Sequence, residues 1–461
     1  MAQVIGTAPN QVPSNSNLGD LAYRNKAQIA GEFATAAQGT TADTALQPAD
    51  LGATDLPDIA PTLNLDFANA QSITSKTTYT RASTATYYDA NGTLQTAAVD
   101  APRFDHDPVT GERLGILLEE QRTNLLTYSE QLDNVAWTKI DSTITANAVT
   151  APDGTTTADK YISGSGIGEG LATLYQDVSA SPSTAYTLSV YAKADELSIL
   201  KFSFIARTGA GSYISEATYE FDLSNQTSTI TGASLTGSSS SITEVGNGWY
   251  LCSITATTTA STGIIRPYVR NTTTGDGTSG IYLWGAQLEA GSFPTSYIKT
   301  EASQVTRSAD DLSITGTNFT DFYNQSEGTF LVGMDYVGGT TSPVLFSAGT
   351  PFGDVAYISH TGSNLNLKVF TGSVDQFAAA SISRPSTPFK VAFALKQDDM
   401  AFVVDGGTVS TDTSGTIPTV TNLYLGRASW TAGNYACIHI KSLTYYPRRL
   451  TNAQLQSLTT E

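Results

Sequence analysis

The sequence predicts an all-β protein: tandem jelly-roll or β-sandwich domains that follow an extended N-terminal anchor. Three observations carry the prediction. Apolar residues recur with period two over short runs bounded by turn residues. The positions between them are filled by Thr, Ser, Gly and Asn, and charged residues make up only 14% of the chain, which is a strand-and-turn vocabulary. No amphipathic helical pattern separates one run from the next, so the strands belong to sandwiches and not to alternating α/β units. At 461 residues the chain exceeds what one core organises, and about three domains with connectors are expected.

Residues 1–60 lack any sustained period-two pattern and are rich in Ala, Thr, Asn and Pro. They read as an anchor and stalk that gains order against a partner, because such a segment cannot bury enough surface alone. Its compact apolar cluster is Asn17-Leu18-Gly19-Asp20-Leu21-Ala22-Tyr23, followed by a helix-compatible stretch over 26–37. Strand patterns begin at Pro61 with Thr62-Leu63-Asn64-Leu65-Asp66-Phe67, continue through 78–88 to the turn Asn91-Gly92, and reach a buried strand at 115–120. Residues 61–126 therefore form a small β region, a junction expected to pack on the sandwich that follows. Residues 127–306 carry alternating runs at 185–192, 200–205, 219–223, 248–254, 264–269 and 281–283, the first sandwich. Residues 307–461 carry a second set at 328–336, 344–346, 365–370, 389–395, 401–404, 423–425 and 438–446, and then a short terminal helix with Thr451 as its cap and Leu455 and Leu458 facing inward.

A formal charge of −18 and a pI near 4.5 make the counterion-release term of nucleic-acid binding repulsive, so DNA and RNA are excluded as partners. The same charge disfavours anionic membranes and acidic polysaccharides, unless divalent cations bridge or the binding groove is locally basic. A neutral glycan or a protein fits better. Cys252 and Cys437 stand far apart in different expected domains, which argues for two buried thiols and against a disulfide framework. Met1 to Pro13 lacks the basic start and apolar core of a signal peptide, and no apolar run approaches membrane-spanning length. A soluble protein without membrane insertion, released by a route such as cell lysis, is the expectation.

Several stretches resemble segments of tail-fibre and virion structural proteins of tailed bacteriophages. Gly6-Thr7-Ala8-Pro9-Asn10-Gln11-Val12-Pro13, with Leu18-Gly19 and Ala22-Tyr23, resembles the N-terminal segment by which such fibres attach to the particle. The second stretch comprises Arg81-Ala82-Ser83-Thr84-Ala85-Thr86-Tyr87, Pro102-Arg103-Phe104-Asp105-His106-Asp107 and Leu118-Glu119-Glu120-Gln121-Arg122-Thr123-Asn124-Leu125-Leu126. Leu283-Trp284-Gly285-Ala286-Gln287-Leu288-Glu289-Ala290-Gly291, with Thr295 to Ile298 and Thr306-Arg307-Ser308-Ala309-Asp310, is similar to the closing strand of carbohydrate-binding-module-like jelly rolls in phages. Tyr445-Tyr446-Pro447-Arg448-Arg449-Leu450-Thr451-Asn452-Ala453-Gln454-Leu455 resembles the end of concanavalin-A-like, laminin-G-like domains. The resemblance covers most of 61–461 and implies a module class, not a ligand.

Its implications are a virion location after synthesis in the host cytoplasm, a homotrimeric fibre, docking to other virion proteins through Pro9, Val12, Leu18, Leu21 and Tyr23, and outer sandwich domains that meet a host-surface glycan or protein. A tail fibre is the leading reading, a capsid fibre or decoration protein the alternative, and a polysaccharide depolymerase of tailspike type a third that would be favoured by a solenoid repeat, of which the sequence has none.

The chemistry-bearing residues point to binding. His106, His360 and His439 are dispersed, with no metal-binding spacing. Asp105-His106-Asp107 reads as a solvated turn or, failing that, a metal contact. Asp310-Asp311 and Asp276 could supply oxygens to calcium, but no loop has EF-hand spacing, so calcium stays unassigned and no cofactor is expected. Glu119 and Glu120 are adjacent and would point to opposite faces of a strand, which rules them out as a hydrolytic pair across one bond, and no enzyme is expected. Among the tryptophans, Trp249 and Trp284 fall in strands and read as core, and Trp137 could be either. Trp430 lies in the loop Gly426-Arg427-Ala428-Ser429-Trp430-Thr431-Ala432-Gly433-Asn434-Tyr435, either contacting a ligand or another subunit or packing its own loop. Trp430, Tyr435, Arg427 and Asn434 are the candidate ligand-binding residues, supplying flat apolar faces and hydrogen-bonding groups for a sugar.

Overall fold

The computed structural model describes residues 56–460, apart from 340–341, 350–352, 378–380, 386–387 and 432. The five residues expected to dock on the virion, Pro9 to Tyr23, lie outside the described residues. From Ile59 onward the chain forms one compact unit, built from two β-sandwiches.

In the first sandwich, sheet I runs in the spatial order Thr227–Ala233, Tyr213–Asp222, Ile199–Arg207, Ile264–Arg270, Thr173–Tyr175 and Thr138–Ile140, with Val178–Ser179 also on Ile264–Arg270. Sheet II runs Thr236–Glu244, Trp249–Thr257, Ala185–Ala194, Gly280–Ala290, Ala158–Ser163 and Ser142–Val149. Alternation decides what lies between them. Leu200, Phe202 and Phe204 of one sheet meet Leu188, Val190 and Ile254 of the other in a single buried cluster, while the residues between them face outward. Trp137, Trp249 and Trp284 are all buried, and each indole N–H donates to a nearby oxygen, on Tyr128, Thr150 and Thr157 respectively.

In the second sandwich, sheet III runs Ser410–Asp412, Met400–Val404, Phe389–Lys396, Glu327–Gly339, Ala436–Tyr446, Arg113–Leu118 and Phe104–His106. Sheet IV runs Thr78–Thr80, Asp311–Thr315, Asn422–Leu425, Val344–Gly349, Val355–Thr361, Asn364–Thr371 and Val374–Asp375, with Ser381–Ser383 also on Asn364–Thr371. Phe330, Phe393 and Ile440 from sheet III and Phe346, Leu367 and Leu423 from sheet IV fill one core. The terminal helix Asn452–Thr459 starts with the expected Thr451 cap, a reciprocal box with Gln454, and buries Leu455.

Residues 61–126 contribute to both sandwiches. The hairpin Ala85–Tyr88 and Leu94–Ala97 sets Tyr88 and Leu94 against Trp249, Trp284 and Tyr297 on the first sandwich. Arg122–Asn124 pairs with Val305–Arg307 and bonds the first sandwich through Asn124, whereas Leu63–Asp66, Thr78–Thr80, Phe104–His106 and Arg113–Leu118 go to the last sandwich, contrary to the expectation that the region packs on the next one. The reason is a matter of edges. The long strand Ala436–Tyr446 needs partners along its free side, and Arg113–Leu118 pairs with its first half (Ile438 to Leu118) and Leu63–Asp66 with its second (Tyr445 to Leu63). Gly115 sits where these meet: its φ is +98°, and a Cβ there would lie 2.2 Å from the Ile440 carbonyl oxygen, so only glycine fits.

Candidate functional site

The stretches 81–87, 102–107, 118–126 and 306–310 converge on a buried ionic knot. Arg81 follows strand Thr78–Thr80, Arg103 precedes Phe104–His106, Glu119 follows Arg113–Leu118, and Arg307 and Asp310 lie in the passage from the first sandwich to the second. Arg103 bonds Glu119 at 2.7 Å and Asp310 at 2.5 Å, Arg81 reaches Asp310 at 3.2 Å, and Arg307 reaches Glu119 at 2.9 Å. Asp310 also accepts from the Tyr79 hydroxyl and the Glu119 backbone N–H, and Glu119 from the Ser296 N–H and hydroxyl. All five charged side chains are buried. Burial works against ionisation of Glu119, but Arg307 and Arg103, helped by Ser296, outweigh it and hold the carboxyl at about 2. A carboxylate so held is unfit as a proton donor. Neighbouring Glu120 is raised by burial and pairs instead with Arg122.

These contacts occupy the carboxylates considered for calcium. Asp310 belongs to the knot, Asp311 pairs with Arg427 at 2.7 Å, and Asp276 caps its own turn through the N–H groups of Thr278 and Ser279. No group of three or more His, Cys, Asp or Glu side chains is placed to hold a metal among the described residues. The reading of Asp105-His106-Asp107 as a solvated turn is corrected in part. Asp105 and His106 are buried, because strand Phe104–His106 is covered by its neighbours. Asp105 pairs with His439 at 2.9 Å, His106 lies within hydrogen-bond distance of the Tyr88 carbonyl, and only Asp107 caps the turn. Cys252 and Cys437 are free and buried, and burial raises both thiols well above their usual range.

A different arrangement stands on the outer face of sheet IV. In Asn364–Thr371 the core takes Leu365, Leu367 and Val369, so Asn366, Lys368 and Phe370 face outward; in Val355–Thr361 it takes Ala356 and Ile358, leaving Tyr357, Ser359 and Thr361 outside. Tyr357 pairs across the strands with Lys368, and its ring lies parallel to that of Phe370, 6.2 Å between centroids at 5°. The loop after Asn422–Leu425 adds the third aromatic. Gly426 (φ +73°) turns the chain, the Ala436 N–H closes the loop base on the Gly426 carbonyl, and the Val344 N–H ties Asn434 to the sheet. Trp430 thereby sits on Tyr357, centroids 4.7 Å apart. The resulting groove of about 310 Å³ is lined by Tyr357, Ser359, Asn366, Lys368, Trp430 and Asn434, among others.

The four expected ligand residues thus divide. Trp430 and Asn434 line the groove. Arg427 does not: it pairs with Asp311, lies 4.2 Å over the Tyr424 ring, and is hydrogen-bonded to half-buried Tyr435, whose hydroxyl burial pushes up. Sequence reasoning missed Tyr357, Phe370, Asn366 and Lys368. The period-two pattern marked 365–370 as a strand, and its outward positions were the available signal for two of the groove residues, Asn366 and Lys368.

No protein-family model matches the chain, and no curated protein does. Solved structures align with about a third of it. The K499G mutant of NanB sialidase from Streptococcus pneumoniae is 13% identical with a TM-score of 0.27, over 31% of this chain and 26% of that one. The CBM40 of the Ruminococcus gnavus IT-sialidase is 13% identical with a TM-score of 0.27, over 31% of this chain and 88% of that one. A structure described as a receptor binding domain is 10% identical with a TM-score of 0.27, over 32% of this chain and 39% of that one. The chain thus spans about a quarter of the sialidase it aligns with, and likeness at this level assigns no ligand.

Proposed function

We propose that this chain is an adhesin of a phage particle, a tail fibre that docks on the virion through its first residues and binds a host-surface glycan through the outer face of sheet IV. The observation that supports this reading is the groove in which Trp430 packs on Tyr357, whose ring lies parallel to that of Phe370 behind it, beside the hydroxyl of Ser359, the amides of Asn366 and Asn434 and the ammonium of Lys368. Aromatic faces stack on the apolar faces of pyranose rings, and convergent amides and hydroxyls fix the ring hydroxyls. The proposed action is binding without cleavage. A single shallow site binds weakly, and a homotrimer carried in several copies raises the apparent affinity through effective concentration.

The test is binding of the full chain to arrayed host lipopolysaccharide and capsule glycans, comparing the parent with Trp430→Ala. A loss of about tenfold at unchanged melting temperature is expected, on the scale of one stacking aromatic. Equal binding at equal stability would remove the groove from the site, and shortened glycan chains would promote a depolymerase. Deleting residues 1–25 should leave a folded protein that no longer enters particles, and a label on the C-terminal sandwich of intact virions separates tail from head.

A further inference from the structure

Several groups that line the groove on the outer face of sheet IV make no hydrogen bond within the protein. Trp137, Trp249 and Trp284 each donate the indole N–H internally, whereas the N–H of Trp430 has no acceptor among the described residues. The hydroxyls of Tyr357, Ser359 and Thr361 and the side-chain amide of Asn434 are likewise without a partner among the described residues, although each of these residues lines the groove. Burial holds the Tyr357 hydroxyl above its usual range, so it keeps its proton and donates. Donors and acceptors therefore stand side by side, which suits sugar hydroxyls, since each of them both gives and takes a hydrogen bond.

The charge on this face is balanced. Lys368 is the one charged residue among those that line the groove. Register pairs Phe370 with Asp375, so Asp375 shares the outward face of Phe370 and lies diagonal to Lys368, two residues earlier on the strand. The Asp375 Oδ2 accepts from the Lys368 ammonium at 2.7 Å, and its Oδ1 accepts from the Phe377 N–H at 3.2 Å. At the Tyr357 hydroxyl the two charges act in opposite directions. An ammonium has three N–H donors, so the pair leaves two of them for ligand hydroxyls while leaving no net charge. The carboxylate of an acidic sugar would meet no unmatched cation here and would approach Asp375, on a chain of net charge −18. The overall charge admits acidic glycans only at a locally basic groove, and the Lys368–Asp375 pair removes that exception.

We infer, resting on the glycan-binding reading of this groove, that it selects uncharged hexose units over uronic acids, and that Asp375 sets this selectivity by neutralising Lys368.

The experiment uses the full chain and methyl glycosides in matched pairs, glucose with glucuronic acid and galactose with galacturonic acid, in which a carboxylate replaces the C6 hydroxymethyl group and nothing else changes. Saturation-transfer NMR and competition titrations should find a neutral member bound, its acid weaker by about tenfold, and the neutral binding insensitive to salt. Asp375→Asn should move the affinity ratio toward the acid by about fivefold at a melting temperature near the parent's, on the scale of one partly exposed charge, and added salt should erase the shift. Combining it with Lys368→Gln should cancel the shift, and Trp430→Ala should lose the neutral glycoside. If Trp430→Ala binds that glycoside as the parent does, the groove reading fails and the inference with it. If Trp430→Ala loses it, yet acid and neutral sugar bind the parent alike or Asp375→Asn leaves their ratio unchanged, the selectivity inference alone is overturned. Binding of no member of either pair overturns the inference too, while the arrayed glycans still decide the groove reading.

Discussion

Replacing Asp310 by Asn tests whether the ionic knot holds the two sandwiches' connecting segments in place. The carboxylate is 2% exposed and serves Arg103, Arg81, the Tyr79 hydroxyl and the Glu119 N–H at once. Asparagine keeps the volume but removes the charge, and its amide turns a donor toward a site that already holds four donors. Arg103 and Arg307 would then share Glu119, and Arg81 would have no carboxylate in reach. Removing one partner of a buried ion pair costs about 3–5 kcal/mol, because the other charge is left uncompensated in a low-dielectric site. Against a domain stability of about 5–15 kcal/mol, that is a large fraction. The measurement is guanidinium unfolding at pH 7 followed by tryptophan fluorescence, since Trp249 and Trp284 lie in the cluster where residues 61–126 meet the first sandwich. Asp375→Asn, which breaks a partly exposed pair with Lys368, is the control and should cost no more than about 1 kcal/mol. If Asp310→Asn loses no more than this control, the knot does not stabilise the junction and the reasoning fails.

Three further outcomes are expected. Gly115→Ala should destabilise the second sandwich by more than about 1 kcal/mol, because the left-handed backbone and the Ile440 carbonyl both exclude a Cβ; a melting temperature like the parent's would show that the strand junction relaxes. Glu119, depressed in the folded state to about 2 from an ordinary 4.5, contributes stability that is full above the unfolded value and is lost as pH falls between the two, on the order of 3 kcal/mol. Burial-raised Glu120 and Glu289 work the opposite way and above the ordinary 4.5, outside that window, and the comparison is with Glu119→Gln, whose stability profile from 4.5 down to about 2 should be flatter; parallel profiles would refute the assignment. Tyr357→Ala should weaken glycan binding as Trp430→Ala does, since Tyr357 touches both other rings, whereas Arg427→Ala should not; equal losses in all three would mean that the loop as a whole, and not the aromatic surface, is the determinant.

How much of this was legible in the sequence depends on where each strand lies. Central strands with one face in a core announce themselves: the alternating runs at 328–336, 389–395 and 438–446 correspond to Glu327–Gly339, Phe389–Lys396 and Ala436–Tyr446. Edge strands do not. Ser142–Val149, at the edge of sheet II, is mostly exposed and rich in Thr, Ala, Ser and Asn, so it has little apolar period to read; Val355–Thr361, although interior to sheet IV, is too mixed in composition to stand out. Long-range pairing was also hidden, since nothing local in 63–66 shows that its partner is 442–445. At the groove, the turn glycine and the half-buried loop tryptophan were readable within one loop. Tyr357 was not, because it reaches Trp430 only through the register of Val344–Gly349 with its neighbours.

The family-resembling stretches and the candidate ligand groove do not coincide, and the reason is physical. Arg81, Arg103, Glu119, Arg307 and Asp310 are spent on one another, and a buried network of this kind fixes geometry only if every member is present, since an unpaired member is costly. Such residues specify how segments distant in sequence meet at the junction, and they hold the two sandwiches in one compact unit. The Trp430 groove lies on outward positions of a sheet whose inward positions already secure the fold. Substitution there is expected to leave the core undisturbed.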